Sequence, residues 1–353
     1  MPRSRLLQAA GNFSIFKVRE LFRRRAGQIK LTRIRKADEI IVGPWMGEVG
    51  FEVLYWIPFL HFLVESQGFD PAKFKIISRG GVKNWYSGIG KIEYFDILNS
   101  ISPAEFMLVN ERRVSRTGAI KQLELHQDEI EILEKITGRL VRPESVLHPG
   151  EMFSRFLPYW QKACSLEKIE NHSIYRRFAF TDTDTIKNLG LEKGSYVSAK
   201  FYFSDALIDN AMNLRAISKL LTTLAKTKKV VLLQSGTKVD DHSDVMGELF
   251  RHPNIVVPEL EMKPAENLEK QSQIVGNSSM FFGTYGGFSY LAPFYGVKSI
   301  ACFSERTFQP AHNDVMLRAL LALQNNSNFS GPEFLCASLN GILEIVDGMS
   351  GSA

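Results

Sequence analysis

The chain has 353 residues, 44% of them hydrophobic and 23% charged, an ordinary globular composition long enough for about two domains. No apolar run reaches the ~18–20 residues of a bilayer span, the first residues lack the apolar core and cleavage site of a secretory signal, and three scattered cysteines (Cys164, Cys302, Cys336) exclude a disulfide framework or a cysteine zinc site. The net charge of +5 comes from a basic tail on a mildly acidic body, so no nucleic-acid partner is expected, because such proteins spread positive charge over a folded face; the cysteine usage predicts a reducing, cytoplasmic setting.

Residues 1–36 carry eleven Lys or Arg against one acid, Glu20, a net +10 that leaves −5 for the remainder. Ile15, Val18 and Phe22 fall at helical spacing with Leu21 beside them, flanked by Arg19 and by Arg23 to Arg25. An apolar stripe edged by arginines is the pattern of a helix lying in a membrane interface, where each cation near an anionic leaflet contributes about 1 kcal/mol. A solvated disordered tail, a transit segment and a helix capping the first domain are the other readings of the same residues. The membrane reading predicts peripheral attachment to the inner face of the membrane.

The first domain is expected over residues 37–180. Strands are predicted at 39–43, 74–78 and 106–109, and helices at 51–65 and 118–137; the proline-rich stretch 140–178 has no assignment. The second domain, 190–348, repeats the alternation, with strands at 196–200, 229–234, 254–257, 279–282 and 299–303 and helices at 213–226, 266–275, 288–295 and 333–347. Strands alternating with helices predict an α/β fold of mostly parallel sheets. Two such domains leave a cleft, and ligands in these sheets sit beyond the carboxyl ends of the strands.

Gly283-Thr284-Tyr285-Gly286-Gly287 joins a predicted strand to a predicted helix. Glycines let backbone approach an anion closely, and the helix start offers unpaired N–H groups and the positive end of its dipole. Thr284 and Ser289 add hydroxyl donors. The turn is therefore expected to hold the phosphates of a nucleotide, with a ligand-free tight turn as the alternative. Gln234, Ser235 and Gly236 end the neighbouring predicted strand, where a polar loop would meet base or ribose.

The run Gly287-Phe-Ser-Tyr290-Leu291-Ala292-Pro-Phe-Tyr-Gly296-Val297 resembles the donor-diphosphate region of glycosyltransferases of the GT-B fold, in particular the heptosyltransferase-like type. Tyr290 stands where those enzymes usually carry histidine, and Lys298 where they usually carry proline. The resemblance implies two Rossmann-like domains with a cleft between them and a nucleotide-sugar donor. It implies that Lys200, at the end of the first strand of the second domain, supplies a cation for phosphate. Leu291 occupies the position of the glutamate that retaining members use, which implies inversion. It implies transfer to a glycan or lipid-linked acceptor.

Residues 42–52, VGPWMGEVGFE, form the other dense stretch. Inverting transfer needs one base for the acceptor hydroxyl, and the resemblance implies a carboxylate in this first loop. Glu48 is the first candidate and Glu52 the second, although an acid in a first helical turn is favoured by the dipole alone. Trp45 and Gly47 are candidate acceptor contacts, and Arg79, after the strand 74–78, a contact for acceptor or leaving phosphate. Asp182 and Asp184 form an Asp-x-Asp that would bind a divalent ion, but Asp or Thr before a helix is ordinary capping, so no metal is expected. The reading that results is an inverting glycosyltransferase; a nucleotide-sugar epimerase or hydrolase using the same cleft, and a non-catalytic nucleotide-binding scaffold, are the alternatives.

Overall fold

The computed structural model describes residues 29–117, 122–179, 183–234, 243–245, 250, 252–258, 263–304, 310–325 and 333–350. The first sheet is built from β1 (Ile40–Val42), β2 (Phe74–Ser78), β3 (Glu93–Asp96) and β4 (Val146–Leu147), in the order β3-β2-β1-β4 and parallel throughout. The second contains β5 (Tyr196–Lys200), β7 (Lys229–Leu232), β9 (Ile255–Val256), β10 (Met280–Thr284), β11 (Lys298–Phe303) and β12 (Phe334–Ser338). Its order is β12-β11-β10-β5-β7-β9, also parallel. A two-stranded ribbon, β6 (Tyr202–Phe203) with β8 (Ser243–Asp244), lies beyond β5.

Both orders are those of Rossmann-like sheets. The strand sequence reverses direction between β1 and β4 in the first sheet and between β5 and β10 in the second, and the carboxyl ends at such a reversal form the ligand crevice of an open α/β sheet. Lys200, at the end of β5, is in register with Gly283 of β10, so the glycine turn predicted from sequence stands at the second switch point.

The helix after β1, α1 (Val49–Gln67), is apolar enough and long enough to cross a membrane. Its place is instead the middle of the molecule: residues 52–61 are all buried, as expected of a helix that is apolar all round. Its second turn, Glu52–Trp56, is wound as π-helix, a local widening often found where a helix carries a functional group. Gly68, in the left-handed conformation, ends it.

The helices that follow are α2 (Pro103–Thr117), α3 (Gln127–Thr137) and α4 (Gly150–Trp160) in the first half, and α5 (Ala211–Ala225), α6 (Asn267–Asn277), α7 (Gly287–Phe294), α8 (Pro310–Asn325) and α9 (Leu339–Ser350) in the second. Residues 106–109 lie inside α2 and are not a strand, because Phe106 and Arg113 face inward at helical spacing. The helix predicted over 118–137 begins only at Gln127, and the predicted helix 333–347 starts with β12. Helical residues 29–35 dock on the first domain through Leu31 and Ile34, both buried in its core. The folded part therefore includes the end of the basic segment; Ile15, Val18, Phe22 and their arginines lie outside the described residues.

Candidate functional site

The two switch points face each other. The loop after β1, residues 43–48, is pinned at its start by Gly43 N–H donating to the Leu147 carbonyl (3.0 Å) and Trp45 N–H donating to that of Ile77 (2.9 Å). It delivers Gly50, in the first turn of α1, onto the start of α7: a Cβ built on Gly50 would lie 3.0 Å from Gly287 N and 3.3 Å from Tyr290 Cδ2. The first-domain loop and the second-domain glycine turn are thus in direct contact.

On the second-domain side, Gly286 has φ +114°, which a residue with a side chain rarely adopts. The phenolic oxygen of Tyr202 would lie 3.1 Å from a Cβ at Gly286 and 3.2 Å from one at Gly287, so the turn is roofed by Tyr202. Thr284 does not point at a ligand: its hydroxyl accepts from Tyr202 N–H (2.9 Å) and donates to the Tyr202 carbonyl (2.8 Å), fixing the ribbon over the turn. Ser289 is likewise committed, accepting from Gly286 N–H (3.0 Å) and donating to the Gly286 carbonyl (2.7 Å). The two hydroxyls expected to contact phosphate instead shape the turn, and the Tyr285, Gly286 and Ser289 amides are bonded to the Cys302 carbonyl, the Ser289 hydroxyl and the Gly286 carbonyl. Tyr285 is buried against Tyr290, and burial raises the pKa of both phenols.

Lys200 is 4% exposed. Its ammonium donates to Gln271 Oε1 at 3.0 Å, lies 3.5 Å from Asp244 Oδ1 and sits 5.2 Å over the Phe288 ring. A lysine buried this deeply beside the glycine turn, rather than on the surface, is a held charge. Gln271 and Asp244 were not legible as site residues, because the sheet order that brings them to Lys200 is not a sequence property. Gln234 donates to the Val245 carbonyl (3.2 Å); Ser235 and Gly236 lie outside the described residues.

On the first-domain side the two candidate acids separate. Glu52 is 0% exposed. It accepts from Ser78 Oγ (2.6 Å) and Tyr86 OH (2.5 Å) on one oxygen and from Arg79 (2.7 Å) on the other, while Arg79 also donates to the Gly47 carbonyl (2.5 Å). Both carboxylate oxygens are hydrogen-bonded inside the domain and no solvent reaches them, so Glu52 is an internal tie that binds α1 to the end of β2 and not a base for a substrate. Arg79, expected to touch acceptor or phosphate, is the other half of that tie. Glu48 sits one turn earlier, in extended conformation as the residue before α1, half-buried at the loop's tip. Trp45 is fully buried and stacks on Trp56 (5.9 Å) and Phe153 (6.1 Å), leaving no face for a sugar.

A buried polar cluster backs the same loop. Gln122 accepts from Met46 N–H (2.8 Å), donates to the Pro44 carbonyl (2.8 Å) and donates to Glu129 Oε1 (2.7 Å). Burial works to raise the Glu129 pKa, but His148 at 3.4 Å, the His126 N–H and Arg113 hold it at about 2. Across the interface, Tyr55 OH meets His312 Nδ1 of α8 at 2.6 Å. Among the described residues no three His, Cys, Asp or Glu side chains converge to hold a metal ion; Asp184 is exposed and paired with Lys187 at 3.2 Å, and Asp182 lies outside the described residues.

No family model matches the chain, and no curated protein matches it in sequence. Among solved structures it is similar to the ADP-heptose lipopolysaccharide heptosyltransferase II of E. coli, with a TM-score of 0.46 at 10% identity over 89% of this chain and 100% of that one. It is similar to a family 9 glycosyl transferase of Veillonella parvula, with 0.43 at 13% identity over 88% and 89%. A third is a putative UDP-N-acetylglucosamine 2-epimerase of Listeria monocytogenes, with 0.34 at 13% over 90% and 98%.

Proposed function

We propose that the chain is an inverting glycosyltransferase that takes a nucleoside-diphosphate sugar as donor and a glycan or lipid-linked glycan as acceptor. The observation that carries the reading is the meeting of two switch-point loops: the Gly286–Gly287 turn with buried Lys200 on one sheet, and the Glu48 loop on the other. The start of α7 at Gly287, together with Lys200, receives the diphosphate, as helix starts and fixed cations do. Glu48 takes the proton of the acceptor hydroxyl while its oxygen bonds to the anomeric carbon. The bond from that carbon to the diphosphate oxygen breaks, its electron pair leaves with the nucleotide, and the growing charge is met by Lys200 and the start of α7, with no resident metal called for. Gly50 lies on Gly287, so the two loops part to admit the donor.

The test is a thermal-shift screen with UDP, GDP, ADP and CMP. A ligand at 100 times its dissociation constant stabilises by about 2.7 kcal/mol, and absence of a shift with every nucleotide overturns the reading. With the responding nucleotide's sugar as donor, Glu48→Gln keeps donor binding and loses turnover; unchanged turnover removes Glu48 as base.

A further inference from the structure

We infer that Asp244 is the internal counter-ion of the donor site: its carboxylate faces Lys200 until a diphosphate takes its place, so Asp244 sets how tightly the site holds an anion. This rests on the reading of Lys200 and the start of α7 as the diphosphate site, and it adds a residue that works against the ligand.

The two-stranded ribbon puts Asp244 there. Tyr202 and Asp244 stand directly opposite each other in the antiparallel pair of β6 and β8, and residues so paired project from one face. Tyr202 projects onto the glycine turn, its phenolic oxygen 3.1 Å from a Cβ at Gly286. Asp244 projects on the same side, and its Oδ1 lies 3.5 Å from Lys200 Nζ. β6 is fixed, because Thr284 bonds both the N–H and the carbonyl of Tyr202. Val245 N–H donates to the Phe201 carbonyl at 2.9 Å and keeps β8 in register with it. One face of the ribbon therefore brings a phenol to the turn and a carboxylate to the lysine.

An ammonium whose side chain is 5% exposed is costly to bury without an opposite charge. Gln271 offers it a neutral oxygen from inside α6, where it is 0% exposed and bonded to Asn267. Asp244 offers a charge, from a side chain that is 17% exposed. Its distance is longer than the roughly 2.7–2.9 Å of a charge-assisted hydrogen bond. A charged contact that is long and open to solvent on one side is replaceable. A diphosphate carries more than one negative charge and has oxygens for both Lys200 and the start of α7, so it outbids a single carboxylate for the lysine. Asp244 then turns away about its own side-chain bonds, leaving Tyr202 and β6 in place. A carboxylate that stayed beside the bound diphosphate would repel it. On both routes the charge of Asp244 opposes binding.

The experiment is calorimetric titration of the full chain with inorganic pyrophosphate, first in EDTA and then in magnesium, beside the thermal midpoint measured without ligand. Asp244→Asn keeps the size of the side chain and removes its charge. It should bind pyrophosphate about tenfold more tightly in both buffers, the effect of one like charge removed from beside the ligand, and should melt at a lower temperature without ligand. A residue that only supports the fold would lower stability and affinity together, so the opposite signs are the signature of a competing counter-ion. Asp244→Ser should repeat the result and keeps the test standing if the asparagine variant does not fold. Glu192→Gln, at an exposed acid in the turn before β5, removes the same charge from the far end of that strand and should change neither quantity. Unchanged or weaker binding by the Asp244 variants overturns the inference. Weaker binding confined to magnesium overturns it as well, and makes Asp244 a metal ligand. Absence of pyrophosphate binding by the parent and by both variants also overturns it. A parent that responds in the nucleotide screen, with no gain in its Asp244 variants, keeps the glycosyltransferase reading and loses this one, so the two fail separately.

Discussion

Gly50 of the first domain touches Gly287 of the second so closely that a Cβ on Gly50 would stand 3.0 Å from the Gly287 nitrogen. Two opposing effects follow for Gly50→Ala. Alanine in a helical turn gains up to about 1 kcal/mol over glycine, but the obstructing atom is backbone and cannot rotate away, and overpacking costs about 1–3 kcal/mol. The second effect is the larger, so the variant should be less stable in urea by about 1 kcal/mol. Amides at 286–290 should exchange faster with solvent. A more stable variant would show that the two loops are not in contact in solution.

The two acids of the first loop should part company on substitution. Glu52→Gln leaves the Arg79 guanidinium, 4% exposed, without its counter-charge, and breaking a buried pair costs about 3–5 kcal/mol. Glu48→Gln changes a half-buried side chain at a loop tip and should stay within about 0.5 kcal/mol of the parent. Urea unfolding of both variants decides it. Equal losses would mean that Glu48 is also structural, and the proposed base would have to be sought elsewhere.

That pair also shows what a sequence carries and what it withholds. The strand–turn–helix–strand unit from β10 to β11 was readable because glycine, helix start and apolar strand lie contiguous in the chain. The alternation of elements gave the Rossmann-like class for the same reason. Glu52 was ambiguous because its meaning depends on Ser78, Arg79 and Tyr86, which only the β1–β2 pairing brings to it. Thr284 and Ser289 look like phosphate donors in sequence and prove to be bonded to Tyr202 and Gly286. The run FMLV at 106–109 has strand composition, yet Phe106 and Arg113 turn it into one face of α2. β4 is two residues long, too short for any period to register, although it defines the first switch point. Tyr202, Gln122 and His312 carried no local signal at all; each acquires its place from a residue more than 70 positions away.

Acid should weaken the fold in two separate steps. Burial drives the His61 imidazole down to about 4 against the pull of Glu65, with Arg176 adding to the fall. Its folded pKa lies below the unfolded value near 6.5, so the unfolded chain binds more protons between the two. The stability is whole above pH 6.5 and is lost as pH falls towards 4, by about 3 kcal/mol at 1.36 kcal/mol per pKa unit. Glu129 is held at about 2, so its contribution is whole above its ordinary value near 4.5 and is lost progressively as pH falls from there towards 2. Urea midpoints measured from pH 8 to pH 3 should decline first below 6.5 and again below 4.5. His61→Gln should flatten the first decline and keep the second; an unchanged first decline would place the proton elsewhere.

The hydrogen bond between Tyr55 and His312, 2.6 Å long, joins α1 to α8 across the domain boundary. Burial holds the Tyr55 phenol far above its ordinary pKa, so it stays protonated, and the tautomer of the His312 imidazole sets the direction of the bond. The ring lies edge-on to Phe51 at 5.2 Å and Tyr55 at 5.7 Å, with Trp160 beside it at 6.4 Å. Tyr55→Phe keeps those aromatic contacts and removes only the hydroxyl. The loss of the bond is about 1 kcal/mol. Because the bond spans the boundary, the variant should favour the parted arrangement in which the glycine turn is reachable. Calorimetric titration with the nucleotide that responds in the thermal screen should then show tighter binding by a fewfold, together with a lower unfolding midpoint. Weaker nucleotide binding in Tyr55→Phe would mean that the joined arrangement, not the parted one, is the form that receives the ligand.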